Sequence, residues 1–330
     1  MGREGSENMK RIAVLTSGGD TPGMNAAIRS VFKTADYYGM DVMGVYHGYK
    51  GLMDGSIKAL THNDVEDIVH KGGTFLRTAR SEVFKTPDGN AKAIKVLEAF
   101  QIDGVVVIGG DGSFQGARSL AKKGIPVMCL PGTIDNDLAY TDYTIGFDTA
   151  SNAVLSEIYR VRDTMRSHDR YGAIEVMGRA CGDIALYAGV AGGVDYIMVP
   201  ETPEEDRFAK ATTYLSSQRL RGRTTGIVLI AEGAGHAEEF CEYVTAHSDI
   251  EIRPIVLGYI QRGGQPSLLD RVIATGMGAR AVELLREGAK DRAIGFTNHE
   301  FIDVDLTEAL NMPKVFGQML YDLNTIMARF

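Results

Sequence analysis

The sequence predicts an α/β fold: two similar Rossmann-like α/β/α lobes with largely parallel sheets and a cleft between them. Three observations predict it. Short apolar runs recur along the chain, each ends in glycine or a polar cluster, and the segments between them carry helical periodicity. The runs are IAVL (12–15), DVMGVY (41–46), GVVVI (104–108), IPVMCL (125–130), AIEVM (173–177), GIVLI (226–230) and RPIVL (253–257), with YIMVP (196–200) as an eighth. Continuous β-branched runs of this length suit strands covered on both faces of a parallel sheet. Between the first two, Ile28, Val31, Phe32 and Ala35 share one helical face and Gly39 stops the helix. Eight strands exceed one common nucleotide-binding sheet, so two lobes are expected, with a boundary near 144–148.

Composition narrows the class. The 330 residues are 44% hydrophobic and 24% charged, which suits one large or two medium globular domains. The net charge of -8 argues against a general nucleic-acid binder while leaving room for a local basic pocket. Cys129, Cys181 and Cys241 are odd in number and scattered, which argues against a disulfide framework or zinc cluster and for a reducing, cytoplasmic setting. The apolar runs are too short to span a membrane, residues 1–8 lack a signal-peptide core, and a disordered lead-in is expected there.

In doubly wound folds ligands gather beyond the carboxyl ends of the strands, where the polar clusters lie. LTSGGDTPGMNAAIR (15–29) aims a glycine-rich turn and a helix N-terminus at whatever fills the gap, although the same stretch also reads as a tight turn capped by Asp20. VVVIGGDGS (105–113) sets Asp111 past a buried strand among three glycines, where a carboxylate can hold Mg²⁺ on a polyphosphate or simply cap the next helix. It is not a GxxxxGK[ST] loop, so Walker-type NTPases are excluded. LPGTIDND (130–137) points Asp135 and Asp137 to one side of extended backbone, suiting a metal, a sugar hydroxyl or a base with an electrostatic partner, or else forms an Asx-turn. Arg80, Arg170, Arg179, Arg253 and Arg262 are the matching cations, four of them beside glycine or at strand edges. Arg162 and Arg166 lie four apart, and Arg219, Arg221 and Arg223 cluster before a strand; by spacing alone these read as solvated faces or a second anion site.

LTSGGDTPGMNAAIR, GGTFLRTAR, VVVIGGDGS, LPGTIDND, TIGFDTA, VMGRACGD and VLGYIQRGG, in this order, closely resemble the bacterial ATP-dependent 6-phosphofructokinase family over residues 9–330. The resemblance implies an active-site cleft between an ATP-binding lobe of 9–146 plus about 261–311 and a fructose 6-phosphate-binding lobe of about 147–260 plus 312–330. Gly19, Tyr49, Arg80, Ser81, Gly110, Asp111, Gly112, Ser113 and Gly116 would line the ATP site, with Mg²⁺ on Asp111. Thr133, Ile134, Asp135 and Asp137 would face the sugar, with Asp135 accepting the proton of its 1-hydroxyl. An ordinary aspartate, pKa about 3.9, is a weak base, yet a loose phosphoryl transition state chiefly needs alignment and late proton removal. Arg80 and Arg179 would offset charge on the transferring group, and Met177, Gly178, Arg179, Glu232, Tyr259 and Arg262 would hold the substrate. Arg170 and Arg253 would reach a neighbouring subunit's sugar-phosphate site, which implies a homotetramer.

By the same resemblance, ADP or GDP and phosphoenolpyruvate would act as effectors at Arg29, Lys33, His62, Asp67, Arg162, Gly193, Asp195, Arg221 and Arg223. Four positions depart from the family pattern. Tyr259 replaces a usual histidine, Lys33 and His62 replace common arginines, and Asp195 replaces a common glutamate. Three rivals are weaker: pyrophosphate-dependent relatives carry Asp and Lys where Gly112 and Gly132 stand, a regulatory subunit would be expected to lose Asp111, Asp135 or the arginines, and no GxGxxG opens a βαβ unit as NAD binding requires.

Overall fold

A computed structural model describes residues 9–202 and 205–329; the expected disordered lead-in, 1–8, lies outside the described residues. Eleven strands form among them: β1 Arg11–Thr16, β2 Asp41–Val45, β3 Ile57–Ala59, β4 Gly104–Gly109, β5 Val127–Pro131, β6 Tyr171–Val176, β7 Tyr196–Met198, β8 Gly226–Ala231, β9 Ile252–Val256, β10 Arg292–Thr297 and β11 Glu300–Asp305. Every apolar run singled out in the sequence is a strand. The chain divides into two compact units, 1–133 with 138–149 and 262–314, and 134–137 with 150–261 and 315–330.

The first unit holds a seven-stranded sheet ordered β11-β10-β5-β4-β1-β2-β3. Its five inner strands run parallel, and only the edges, β3 on β2 and β11 on β10, are antiparallel. Those edges and β10 escape a search for apolar runs for a physical reason. Edge strands carry charge that blunts further pairing, as Lys58 does in β3 and Glu300, Asp303 and Asp305 do in β11. The β10–β11 hairpin turns on Asn298 and His299, whose φ angles of 50° and 66° suit a two-residue turn without the usual glycine signal.

β1, β4 and β5 are buried throughout or nearly so, with helices covering both faces. Helix Met24–Tyr37 buries Ile28, Val31, Phe32 and Ala35, each of the larger three contributing about 1.5–3 kcal/mol. It packs with helix Leu268–Arg286 through Ile273, Met277 and Ala281. Gly278 permits that approach, because a Cβ there would stand 2.8 Å from Ser30 Cβ and 2.9 Å from Ala27 O. At the start of the second helix Asp270, 1% exposed, accepts from Gly146 N and Thr149 N at 2.8 Å and from Thr149 Oγ1 at 2.5 Å. It thereby fixes the first turn of helix Phe147–Ser167. Burial pushes its carboxyl from 3.8 up to about 6 against the pull of those hydrogen bonds.

The second unit holds a smaller parallel sheet, β7-β8-β6-β9. β8 is wholly buried, and Ala211, Leu215, Phe240 and Val244 of two helices pack with Val228 and Ile230. The lobes share parallel α/β construction and differ in size, seven strands against four.

Candidate active site

In the first unit the loops after β1 and β4 lie side by side at the carboxyl edge, tied by Ser17 N donating to Ile108 O at 3.0 Å. Gly109 is forced by this closeness: a Cβ there would stand 2.5 Å from Ser17 O and 2.7 Å from Ser113 Cβ. Helix Asp111–Ala121 starts immediately after, with Gly110 as its N-cap. Asp111 is therefore the first helical residue and not a cap, and its exposed carboxylate projects at the positive end of the helix. Asp20 is likewise no cap, because helix Met24–Tyr37 begins after Gly23. Open space surrounds Gly112.

Tyr49 is buried, stacks on Phe84 at 4.1 Å and donates its hydroxyl to Ser113 O at 2.6 Å. Gly116 makes room for that ring, since a Cβ would come within 2.6 Å of it. Arg80 is exposed, and Ser81 Oγ accepts from Phe84 N at 3.2 Å. Among the described residues no group of three His, Cys, Asp or Glu could hold a metal ion. A Mg²⁺ here would rest on Asp111, the phosphates and water, which is the ion's habit.

Across Gly132 the chain leaves β5: Gly132 N donates to Gly109 O at 3.0 Å, Gly132 bridges Ile145, and Thr144 Oγ1 donates to Thr133 O at 2.6 Å. Thr133 belongs to the first unit and residues 134–137 to the second. Within the second unit Asp135 is 2% exposed, and its Oδ2 lies 3.4 Å from Nε of the exposed Arg179. Asn136 anchors the stretch, with φ 52°, by donating Nδ2 to Asp183 Oδ2 at 2.9 Å and accepting from Cys181 Sγ at 3.8 Å.

The loop carrying Arg179 is equally fixed. Glu232 Oε1 accepts from Gly178 N at 3.2 Å and Arg179 N at 2.8 Å, while Gln261 Oε1 accepts from Met177 N at 3.1 Å. Glu232 thus shapes the backbone of the arginine loop. Arg170 Nε and Arg253 Nη2 converge on Glu251 Oε1 at 2.7 and 2.6 Å. Tyr259 is 83% exposed. Arg262 stands apart from this set: it falls in the first unit, donates Nη1 to Asp20 O at 3.3 Å and lies against Gly19, where a Cβ would collide with its guanidinium.

The residues expected to take effectors fall into two groups. In the first unit Lys33 Nζ is 3.0 Å from His62 Nδ1 and 3.2 Å from Glu66 Oε2, His62 Nε2 is 3.3 Å from Asp36, and Asp67 faces His70 and Lys71; Arg29 is half-buried nearby in sequence. In the second, Arg162 Nη2 donates to Gly192 O and Gly193 O at 2.6 and 2.8 Å, closing the end of helix Asp183–Gly192. Asp195 is buried, pairs with Arg223 and accepts from Ile227 N at 2.7 Å; burial raises its carboxyl. Arg221 is exposed beyond helix Arg207–Leu220. Sequence reasoning assigned no role to Asn136, Asp183, Gln261 or Glu251, which position other residues; the first three lie inside LPGTIDND, VMGRACGD and VLGYIQRGG, and only Glu251 stands outside every motif.

Residues 11–285 match the model of the phosphofructokinase family. The chain belongs to that family. It is 53% identical over 321 residues, 97% of its length and 100% of the relative's, to a Clostridium botulinum protein named ATP-dependent 6-phosphofructokinase. Among solved structures it is similar to phosphofructokinase from Saccharomyces cerevisiae (TM-score 0.86, 33% identity, 97% of this chain and 48% of that one). It is also similar to Pichia pastoris phosphofructokinase in the T-state (TM-score 0.88, 32% identity, 100% of this chain and 38% of that one). This phosphofructokinase chain therefore spans about half or less of the yeast chains. A pyrophosphate-dependent phosphofructokinase from Marinobacter aquaeolei shares the fold (TM-score 0.83) at 21% identity, covering 97% of this chain and 92% of that one.

Proposed function

We propose that this chain transfers the γ-phosphoryl group of ATP to the 1-hydroxyl of fructose 6-phosphate, giving fructose 1,6-bisphosphate and ADP in glycolysis. The observation that carries the reading is Asp135, a buried carboxylate paired with Arg179 at 3.4 Å and locked through Asn136. In the transfer the sugar's O1 bonds to the γ-phosphorus, the bond from that phosphorus to the β–γ bridging oxygen breaks, and the O1 proton passes to Asp135. Because the transition state is loose, Asp135 has to align the hydroxyl and take its proton late, which a weak base can do. Arg179, exposed beside Asp135, and Arg80 offset charge on the transferring group. Thr133 and Asp137 position the sugar.

Asp111 is the residue that would hold Mg²⁺, and the ion would supply positive charge to the β- and γ-phosphate oxygens. The glycines at 19, 110, 112 and 116, with Tyr49, Ser81 and Ser113, supply ATP's remaining contacts, and open space at Gly112 favours ATP over pyrophosphate as donor. Met177, Gly178, Glu232, Tyr259 and Arg262 bind fructose 6-phosphate. Arg170 and Arg253, already gathered by Glu251, complete a neighbour's site in a homotetramer. Nucleoside diphosphate and phosphoenolpyruvate bind the two basic groups around Lys33 and Arg162, and three free cysteines suit the cytoplasm.

Steady-state formation of fructose 1,6-bisphosphate with ATP and with pyrophosphate tests the reading. ATP is expected to be the faster donor, and faster turnover with pyrophosphate would overturn it.

A further inference from the structure

Away from the residues assigned above, the first unit carries a cavity of about 440 Å³ lined chiefly by Tyr46, His47, Ser56, Lys58, Phe75 and Arg77. That volume falls in the range of small-ligand sites. None of the residues lining it is acidic, although the chain as a whole carries a net charge of -8. Asp64, the carboxylate that acts on Tyr46, is turned to Thr61, whose N–H and hydroxyl it accepts at 2.8 and 2.6 Å. Two flat rings supply the apolar part: Tyr46 and Phe75 meet edge to face at 6.4 Å, and Lys58 Nζ lies 5.6 Å above the Tyr46 ring.

Backbone geometry singles out the same place. His47 and Arg77 hold φ angles of 63° and 60°, a conformation that glycine adopts freely and a bulky side chain does not. Such residues persist where the surroundings over-determine them, often at ligand sites. Here His47 N donates to Leu76 O at 2.9 Å, and Arg77 O accepts from Thr16 Oγ1 at 3.0 Å. Thr78 Oγ1 donates to Gly18 O at 2.8 Å, so the cavity wall is continuous with the loop after β1.

We propose that this cavity is a binding site for a nucleoside monophosphate, separate from the catalytic nucleotide site. Its phosphate lies on Lys58 and Arg77, and its base lies against Tyr46 and Phe75.

The experiment is equilibrium dialysis of labelled adenosine monophosphate against the full chain, with Mg²⁺ and a non-hydrolysable ATP analogue filling the catalytic site; that step rests on the proposed function. Wild type is expected to bind one equivalent that weakens about tenfold in Arg77→Gly and in Lys58→Ala. Arg77→Gly removes the guanidinium where glycine is conformationally at ease, so it is expected to melt no lower than wild type. Arg221→Ala, in the proposed effector group, is expected to leave this equivalent in place, which separates the two sites. No such equivalent in wild type, unchanged binding in both cavity variants, or displacement by inorganic phosphate as effective as by adenosine monophosphate would each overturn the proposal. If the ATP analogue itself fails to bind while the cavity equivalent persists, the catalytic reading fails and this one stands.

Discussion

The loops after β1 and β4 in the first unit offer backbone and room: Gly109 admits the neighbouring loop, Gly116 admits the Tyr49 ring, Gly112 opens on empty space, and Asp111 and Arg80 project outward. The second unit offers side chains that already hold one another. Asp135 has Arg179, the backbone of the Arg179 loop has Glu232, and Arg170 and Arg253 share Glu251. On the proposed assignment a nucleotide would meet glycine-rich backbone and space, whereas a sugar phosphate would have to exchange one set of ion pairs for another. Such an exchange keeps charges compensated while the site is vacant.

The sharpest way to break this comparison is Asp135→Asn, which keeps the shape and removes both the proposed proton acceptor and half the ion pair. General-base loss of this kind costs about 10²–10⁴ in rate. We expect kcat to fall about 10³-fold with the KM for fructose 6-phosphate changed far less. A fall below about tenfold in steady-state kinetics would remove Asp135 from the chemistry.

Asp270 provides the contrasting buried carboxylate, held by neutral donors and no cation. Its folded-state value of about 6 lies above the ordinary 3.8, so its contribution to stability is full below about 3.8 and is lost as pH rises through about 6. The gap corresponds to about 3 kcal/mol. Denaturant unfolding at pH 4 and pH 7 is expected to show wild type losing about that much relative to Asp270→Asn between the two conditions. A pH-independent difference between the proteins would show that the three hydrogen bonds hold the carboxylate ionised throughout.

Gly112 and Gly132 separate two reasons for a missing side chain. Read from sequence, both report the phosphoryl donor. In the fold a Cβ at 132 would press Ile108, Met24 Cε and Gly109 N at 3.0 to 3.2 Å, while one at 112 would meet nothing within 4 Å. Gly132 therefore has a packing duty as well, and only Gly112 is free to report the ligand. Gly112→Asp is expected to raise the KM for ATP about 10- to 100-fold with unchanged melting, whereas Gly132→Ala is expected to lower stability by about 1–3 kcal/mol. Equal melting losses in both variants would erase the distinction.

Legibility in the sequence followed the same division. Strands buried on both faces announce themselves as apolar runs, so β1, β4, β5 and β8 were plain, whereas β3 and β11 pair on one side only and carry Lys58 and Glu300. The glycine-rich loops after β1 and β4 were legible because close backbone approach demands glycine wherever it occurs. Glu251 was not, because a carboxylate that orients arginines can sit at any position the fold brings near, and Asp183 and Gln261, although inside VMGRACGD and VLGYIQRGG, gave no sign that they would accept from Asn136 Nδ2 and Met177 N. Arg262, adjacent to glycine in sequence, gave no sign that its guanidinium would lie on Gly19, more than two hundred residues away.

Tyr259 brings the comparison to its finest point, because it is the one member of the proposed sugar-phosphate set that departs from the family pattern and has no charge to exchange. At 83% exposure it is free to meet a phosphate, yet a phenol donates a single hydrogen bond and stays neutral near pH 7. Histidine at this position can carry positive charge below its ordinary pKa of about 6.5. If ion-pair exchange governs sugar-phosphate binding in the second unit, Tyr259→His lowers the KM for fructose 6-phosphate several-fold and does so more at pH 6 than at pH 8, with kcat unchanged. An unchanged KM with an altered kcat would mean that residue 259 acts on the transfer itself and not on holding the phosphate.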